Sequence, residues 1–579
     1  MASTPPALIL LATAALVAVL PRRLRAWSML VGTLAVLAQL LLVLEDGDSL
    51  TWTWLSFNLT LLRVDALSMV FAWAFTLILL IGTFFSWHAP VRGQQIAALT
   101  YAATALGVVF AGDLLTLVIY WEIQALASYY LIVTGGMARS QQAGHRYLYV
   151  HLVGGALLLT GVLWHYGDLG SLEFGLFSSG SPAGWLVLGA FAINAAIPPL
   201  HAWLPDGYPE SSVTGTVFLS ALTTKSAVYV LLRGFAGWEL LVPVGVAMAL
   251  YGLVYAVLEN DMRRLLSYHI ISQVGFMVAG VGIGTHDAIN GAASHAFAHV
   301  IYKGLLMMGV SAVIHTTGRR KMSDLGGIVH RMRWVFVLYM VGGLSISAFP
   351  LFSGFTSKSM IIYAAEHEPG FGWVAYLLYV ASVGTFLHTG LKLPYGTWLG
   401  RRRDDIPIGR VPVGMYIGMG IAAVICIVVG VYPAILYNAL PFETHYEPYT
   451  PAHVVHALEL LAFTALGFWL LLPVLHPDRT ISLDSDWFYR KAGPLLRAFV
   501  QKPLEAPFTA AQRLMRIIAE RVSGAFLHPT TTWTPVLRLS AYARARTPEA
   551  AVAWLARPPL GVAIGAAFVV FAVVVLLAR

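Results

Sequence analysis

Four charged side chains stand inside apolar runs. Glu122 lies in Leu114-Leu-Thr-Leu-Val-Ile-Tyr-Trp-Glu-Ile-Gln, and Lys225 in Leu219-Ser-Ala-Leu-Thr-Thr-Lys-Ser-Ala-Val-Tyr. Lys303 lies in Ala298-His-Val-Ile-Tyr-Lys-Gly-Leu, and Lys358 in Gly354-Phe-Thr-Ser-Lys. A charge at mid-membrane costs at least about 2.5–3.5 kcal/mol on insertion scales, so each of these needs a reason. A nearby carboxylate holds a lysine protonated, and separating the two favours release of the proton. Glu122 and Lys225 therefore read as a pair, either fixing two helices or handling protons. Lys358, near the end of its run, could also snorkel to the interface.

His295, His299 and Lys303 are spaced i, i+4, i+8. On a helix they fall within an arc of about 80° over about 12 Å of axis, which suits a proton wire of imidazoles anchored by a lysine. A metal pair and a structurally satisfied histidine pair are the competing readings, but no Cys or carboxylate follows on that face to complete a metal shell. Haem ligation is a further alternative given His151 and His165, with no facing pair that spacing can pick out. Other polar residues extend the string: His201 and Asp206 in Pro199-Leu-His-Ala-Trp-Leu-Pro-Asp, Tyr268, His269, Ser272 and Gln273, and His388 with Lys392 at i, i+4.

The elements that must position these groups follow from composition. The chain has 579 residues, 58% hydrophobic and 11% charged, with a mean hydropathy of +0.73. Soluble chains carry about 25% charged residues, so disorder, a collagen-like repeat and an ordinary cytosolic enzyme are excluded. The remaining class is an all-α polytopic membrane protein, since barrels alternate polar and apolar residues. The net charge of +8 is a matter of topology here and implies no nucleic-acid partner. The single cysteine, Cys426, excludes an intrachain disulfide, a thiolate zinc cage and a Cys-ligated iron–sulfur cluster. No dinucleotide fingerprint is present, and no cofactor is expected.

At about 20 apolar residues per span, about sixteen spans are expected: 7–20, 28–45, 66–87, 96–111, 114–134, 147–166, 183–203, 213–232, 238–258, 265–284, 290–314, 334–360, 372–395, 412–437, 453–475 and 558–578. The first basic cluster, Arg22, Arg23 and Arg25, follows the first apolar run, which reads as a membrane helix entering from outside and not as a secretory signal. Alternating from there, the inner loops hold Arg139, Arg146, Arg263, Arg264, Arg319, Arg320, Lys321 and Arg401 to Arg403. The outer loops keep only Arg63 and Arg233. This positive-inside asymmetry puts both termini on the outer, periplasmic side of a bacterial inner membrane.

Residues 484–557 differ. They are rich in arginine and cut by prolines, and Ala510 to Phe526 reads as an amphipathic surface helix lying on lipid or against a neighbouring subunit. A weak internal echo joins Ala195-Ala-Ile-Pro-Pro-Leu200 to Ser347-Ala-Phe-Pro-Leu351. Pro198, Pro199 and Pro350 would each break a span, and broken helices in matching halves point to an ion pathway near the midplane.

The ordered set Trp121-Glu122, Pro199 to Asp206, Leu222-Thr-Thr-Lys-Ser-Ala-Val-Tyr229, Asp261 to Gly275, His295 to Lys303 and Phe349 to Lys358 resembles the antiporter-like subunits of respiratory complex I. It is more similar still to the D-type component of Mrp-type cation/proton antiporters. The resemblance covers roughly residues 95–400. It implies two inverted five-helix repeats with broken helices, here 96–235 and 236–400, between N-terminal helices (1–95) and C-terminal ones (401–483), with the surface segment (484–557) and a last helix (558–579) following. It also implies roles: Glu122 the fifth-span carboxylate, Lys225 the eighth-span lysine, His295, His299 and Lys303 the eleventh-span relay, and Lys358 the outlet lysine of the twelfth.

One departure stands out, since the family's lysine five residues before the broken-helix proline is here Asn194, which hydrogen-bonds but carries no proton. Either Lys225 takes over as Glu122's partner or transport through this protein is altered. The expected function is proton translocation, with or without Na⁺ exchange, within a complex of other membrane subunits and lipid. Energising subunits of a redox complex (complex I-like or hydrogenase-like) and of an inorganic-carbon uptake complex remain alternatives.

Overall fold

The computed structural model describes residues 4–55, 57–403, 405–473, 484–485, 487 and 509–517. Helices α1 (Pro6–Val19) and α2 (Arg22–Leu42) lead into a hairpin, β1 (Ser49–Trp54) and β2 (Phe57–Arg63), followed by α3 (Ala66–Phe85), α4 (Arg92–Phe110), α5 (Leu114–Val133) and α6 (Ala138–Leu169). Next come α7 (Pro182–Asn194), α8 (Trp203–Gly207), α9 (Gly215–Ala221), α10 (Thr223–Phe235), α11 (Leu241–Leu258), α12 (Met262–Ile283) and α13 (His286–Thr317). The described chain ends with α14 (Arg333–Ile346), α15 (Ser353–His367), α16 (Gly372–Thr385), two stretches of π-helix (Phe386–Lys392 and Tyr395–Leu399), α17 (Val413–Val431), α18 (Ala434–Tyr437) and α19 (Pro451–Leu471).

Among the described residues twelve helices are long and apolar enough to cross a membrane, so the chain is a polytopic membrane protein. The expected count of sixteen is not fixed by them. The span at 558–578 lies outside the described residues, as does most of the surface segment. In that segment residues 509–517 are helical and exposed, part of the expected helix from Ala510 to Phe526.

Several helices begin where the sequence supplies an acceptor for otherwise unpaired amides. Asp65 caps α3 with a reciprocal bond from Ser68, Asp113 caps α5, Asp261 caps α12 and Thr285 caps α13. The tightest pairing is α11 on α12. A Cβ on Gly245, Gly252, Gly275 or Gly282 would come within 2.3–2.5 Å of a backbone nitrogen on the facing helix. Small residues are what allow helix backbones to approach so closely in lipid.

The proline echo corresponds to one local geometry used twice. Ala196 and Ala348 both adopt φ 57°, two residues before Pro198 and Pro350. In the first break Ile197 N–H donates to Ala192 O at 3.0 Å, and in the second Phe349 N–H donates to Leu344 O at 3.0 Å. That is the six-to-one closure of a Schellman cap, with alanine where glycine is usual. Both helices α7 and α14 thus stop at the same point of the same motif. Proline prevents either from resuming at once.

Two features depart from the purely helical expectation. Residues 49–63 form an antiparallel hairpin, foreshadowed only by the alternating Thr and Trp of Ser49–Trp54 and by Gly47, which takes φ 92° before it. Thr60 N–H donates to Asp113 Oδ2 at 2.7 Å, which ties the hairpin to the start of α5. The expected span 372–395 does not stay α-helical either, because it widens into π-helix at Phe386. That widening turns His388 and Lys392 off simple i, i+4 spacing, and π segments of this kind are frequent at functional sites.

Candidate functional site

The interruptions create acceptors inside an apolar interior. Between α9 and α10 the backbone is broken at Leu222, and the fully buried Lys225 donates from Nζ to Ser220 O at 2.8 Å and to Thr224 Oγ1 at 3.0 Å. Lys358, also fully buried, donates to Ile346 O at 2.8 Å and to Ser382 Oγ at 3.5 Å. Ile346 is the last residue of α14. Each ammonium thus sits on a carbonyl that the end of a helix has freed, at the electronegative end of that helix. Lys358 Nζ also lies 5.1 Å from the centroid of the Phe276 ring.

Between these two lysines runs α13, which carries His295, His299 and Lys303, all with no exposed surface. His295 Nδ1 lies 3.1 Å from Ser357 Oγ, and its Nε2 lies 3.3 Å from both Gln273 Oε1 and Tyr302 OH. Ser357 immediately precedes Lys358, so this imidazole is linked to the helix turn that carries Lys358. His299 is 6.2 Å from His295, ring to ring. Both of its nitrogens, and Lys303 Nζ, are buried without a hydrogen-bond partner.

His269 lies on α12. Its ring is 4.7 Å from that of His388 on the first π stretch; neither ring has a side-chain hydrogen-bond partner, and His388 has the Gly384 backbone beside it. Lys392 closes that end by donating to Val257 O and, at 3.4 Å, to Glu259 O. His299 lies within electrostatic reach of Lys225, Lys303, His295 and His269, and His269 within reach of Lys303, His388 and Lys358. Lys225, His299, Lys303, His269, His388 and Lys392 are thus buried groups that act on one another electrostatically, with His269 and His388 in ring contact. His295 and Ser357 lead from them to Lys358.

Glu122 does not join these groups directly. It is half-buried on α5, and its Oε1 has no partner. A Cβ on Gly155 of α6 would stand 1.6 Å from that oxygen, so Gly155 is the gap into which the carboxylate fits. Among the described residues no ion pair joins Glu122 to Lys225, whose ammonium is already satisfied by a carbonyl and a hydroxyl. Asn194 ends α7, is buried, and has an unpartnered Oδ1.

Sequence reasoning missed two features. The first is a partly open cleft lined by Lys358 together with Glu366, Tyr379, Tyr446, His453 and His456. The two histidines come from α19, far along the chain from Lys358, and nothing in their spacing marks them. The second is Asp484, which meets His201 with Nε2 at 3.1 Å from Oδ1. Burial opposes its ionisation, but bonds from His201, Tyr251 and Tyr268 hold the Asp484 carboxyl well below the usual carboxylate range.

One rim of the bundle is a network of arginines: Arg139 with Glu210, Arg146 with Asp206, Arg264 with Glu259, and Arg320 with both Glu210 and Asp261. Arg233, in the last turn of α10, pairs with Asp65, the cap of α3, at 2.7 Å. Among the described residues no three His, Cys, Asp or Glu side chains gather as a metal site.

Residues 111–387 match the family described as NADH:quinone oxidoreductase/Mrp antiporter, transmembrane. The D-type component of the Na⁺/H⁺ antiporter of Alkalihalophilus pseudofirmus is 31% identical over 45% of this chain and 56% of its own length. The A-type component of the same organism's Na⁺/H⁺ antiporter is 29% identical over 64% of this chain and 52% of its own length. The chain thus spans little more than half the length of these two relatives. The solved Mrp complex of Dietzia sp. DQ12-45-1b contains a chain similar in fold, with a TM-score of 0.71 and 22% identity over 94% of this chain and 64% of that one. The matched stretch holds Glu122, Lys225, His295, His299, Lys303 and Lys358, and over it the chain is similar to the antiporter-like proteins shared by Mrp antiporters and complex I.

Proposed function

We propose that the chain is a proton-translocating subunit of a multisubunit membrane complex, exchanging protons for Na⁺, with the arginine rim facing the cytoplasm of a bacterial cell. The observation that carries this reading is the set of buried groups itself. Several of their nitrogens have no protein partner, and a buried polar group left unpaired costs about 1–3 kcal/mol. A chain would not keep His299 and Lys303 in that state merely to hold helices together. Water satisfies such groups, and imidazoles and amines joined through water pass protons along.

In this reading Glu122 acts at the edge of the first repeat and biases Lys225 through water, not through a contact pair. A proton displaced from Lys225 moves to His299 and Lys303. It then leaves either through His295 to Lys358 and its cleft, or returns along His269 and His388 towards Lys392. Asn194 fits a first repeat in which Lys225 is the only buried amine. The freed carbonyls at Ser220 and Ile346 stabilise each ammonium while it is charged, and they give it a fixed place to discharge from.

Everted membrane vesicles holding the assembled complex test the function class. Adding Na⁺ to a preformed pH gradient, with no electron donor, is expected to collapse the gradient. Collapse only in the presence of a donor and quinone would overturn the exchange reading in favour of a redox-driven pump.

A further inference from the structure

Among the described residues beyond α19, Asp484 and Ser485 touch the bundle. Asp484 places a carboxylate with no exposed side-chain surface against the break in the first repeat. His201 Nε2 lies 3.1 and 3.3 Å from its two oxygens, Tyr268 OH donates to Oδ2 at 2.6 Å, and Tyr251 OH donates to Oδ1. Ser485 Oγ reaches Pro199 O at 3.4 Å. His201 follows Pro199 in the break between α7 and α8, whereas Tyr251 and Tyr268 belong to α11 and α12. One carboxylate therefore spans the seam between the two halves of the bundle.

The hydrogen bonds fix the chemistry of the imidazole. An ionised carboxylate accepts only, so His201 must present Nε2–H to it, and Nδ1 is then the basic nitrogen in the neutral ring. Nδ1 is buried and has no partner. A proton arriving there bonds to Nδ1 and makes an imidazolium whose charge is met at once by Asp484, without any movement of the helices. The other charged or titratable groups at the pair are Tyr251 on α11, with Tyr255 stacked on it and on Tyr268, and Tyr268 on α12 with Arg264 one turn before it. Arg264 is itself paired with Glu259. Arg146 and Asp206 lie just beyond, on the arginine rim.

We propose that Asp484 is a positioning residue that makes His201 a proton-loading site at the arginine-rim mouth of the first half of the pathway. The pair supplies, in the broken helix that ends at Asn194, a group able to carry a proton where asparagine cannot. This inference rests on the proton-translocation reading above.

The test is Asp484→Asn, Asp484→Glu and His201→Gln in the whole assembled complex, with proton flux read against pH varied separately on each side of the membrane. Asp484→Asn is expected to slow flux about 10- to 100-fold, the range that loss of one charge-assisted hydrogen bond converts to. It is also expected to alter the dependence on pH at the arginine-rim side alone. Asp484→Glu is expected to restore most of the flux, and His201→Gln to behave like Asp484→Asn. Normal flux and an unchanged profile in Asp484→Asn and His201→Gln, while Lys303→Met abolishes flux, would overturn this proposal and leave the general pathway standing. If Asp484→Asn fails to assemble, His201→Gln decides alone, because it leaves the two tyrosine bonds to Asp484 in place. Flux that survives Lys303→Met as well would instead count against the pathway.

Discussion

Lys225→Met is expected to abolish transport while leaving the assembled complex at least as stable as the wild type. The two effects come from the same fact. Lys225 is fully buried and no carboxylate pairs with it among the described residues, so its amine is held by one carbonyl and one hydroxyl. Taking an ammonium out of water costs several kcal/mol even after relaxation, and two neutral acceptors only partly offset it. Methionine has nearly the same length and no charge to desolvate, and it fills irregular space well. The expected gain is about 1–3 kcal/mol, of the order seen when buried charges give way to packed apolar side chains. Thermal unfolding of the purified complex measures it. A large loss of stability would mean that Lys225 is a structural strut and that its break evolved for packing.

Lys358→Arg is expected to be as damaging as Lys358→Met, even though it keeps the charge. Guanidinium does not release its proton in proteins, whereas an amine on a buried carbonyl can. It is also planar and needs several acceptors. Lys358 is offered Ile346 O and Ser382 Oγ, with the Phe276 ring on one side. If Lys358 discharges protons into the adjoining cleft, arginine removes the step itself, and flux falls about 100-fold or more, the scale of losing one proton-transfer group. Initial rates of gradient collapse in vesicles, normalised to complex assembled, provide the check. If arginine sustains the wild-type rate, Lys358 acts only as a fixed positive charge.

Much of this candidate site was legible because charges within apolar spans are anomalies. Lys225, Lys303 and Lys358 could be picked out without a structure, and all three proved fully buried. The helical spacing of His295, His299 and Lys303 likewise survives as one face of α13. The breaks were marked by Pro198, Pro199 and Pro350. The alanine caps that stop α7 and α14 were not legible, since nothing about Ala196 or Ala348 signals a left-handed backbone.

Which charges meet was harder to read. Periodicity ranks residues on one helix, but it does not say which face turns to which neighbour. Glu122 and Lys225 therefore looked like a contact pair, although the carboxylate rests against Gly155 instead. The π-helical turn at Phe386 moves His388 towards His269, and no residue type there announces the extra backbone width. His456 and Asp484 reach Tyr379 and His201 only through contacts between distant parts of the chain, so spacing carries no trace of them.

The central claim is that protons cross this protein along these buried lysines and histidines, and Lys303 acts electrostatically on both His299 and His269. Proton flux through proteoliposomes holding the assembled complex, compared between wild type and Lys303→Met, tests it most directly. The expected result is flux reduced to the background of empty liposomes, with assembly unchanged. Wild-type flux in the Lys303→Met complex would contradict the account.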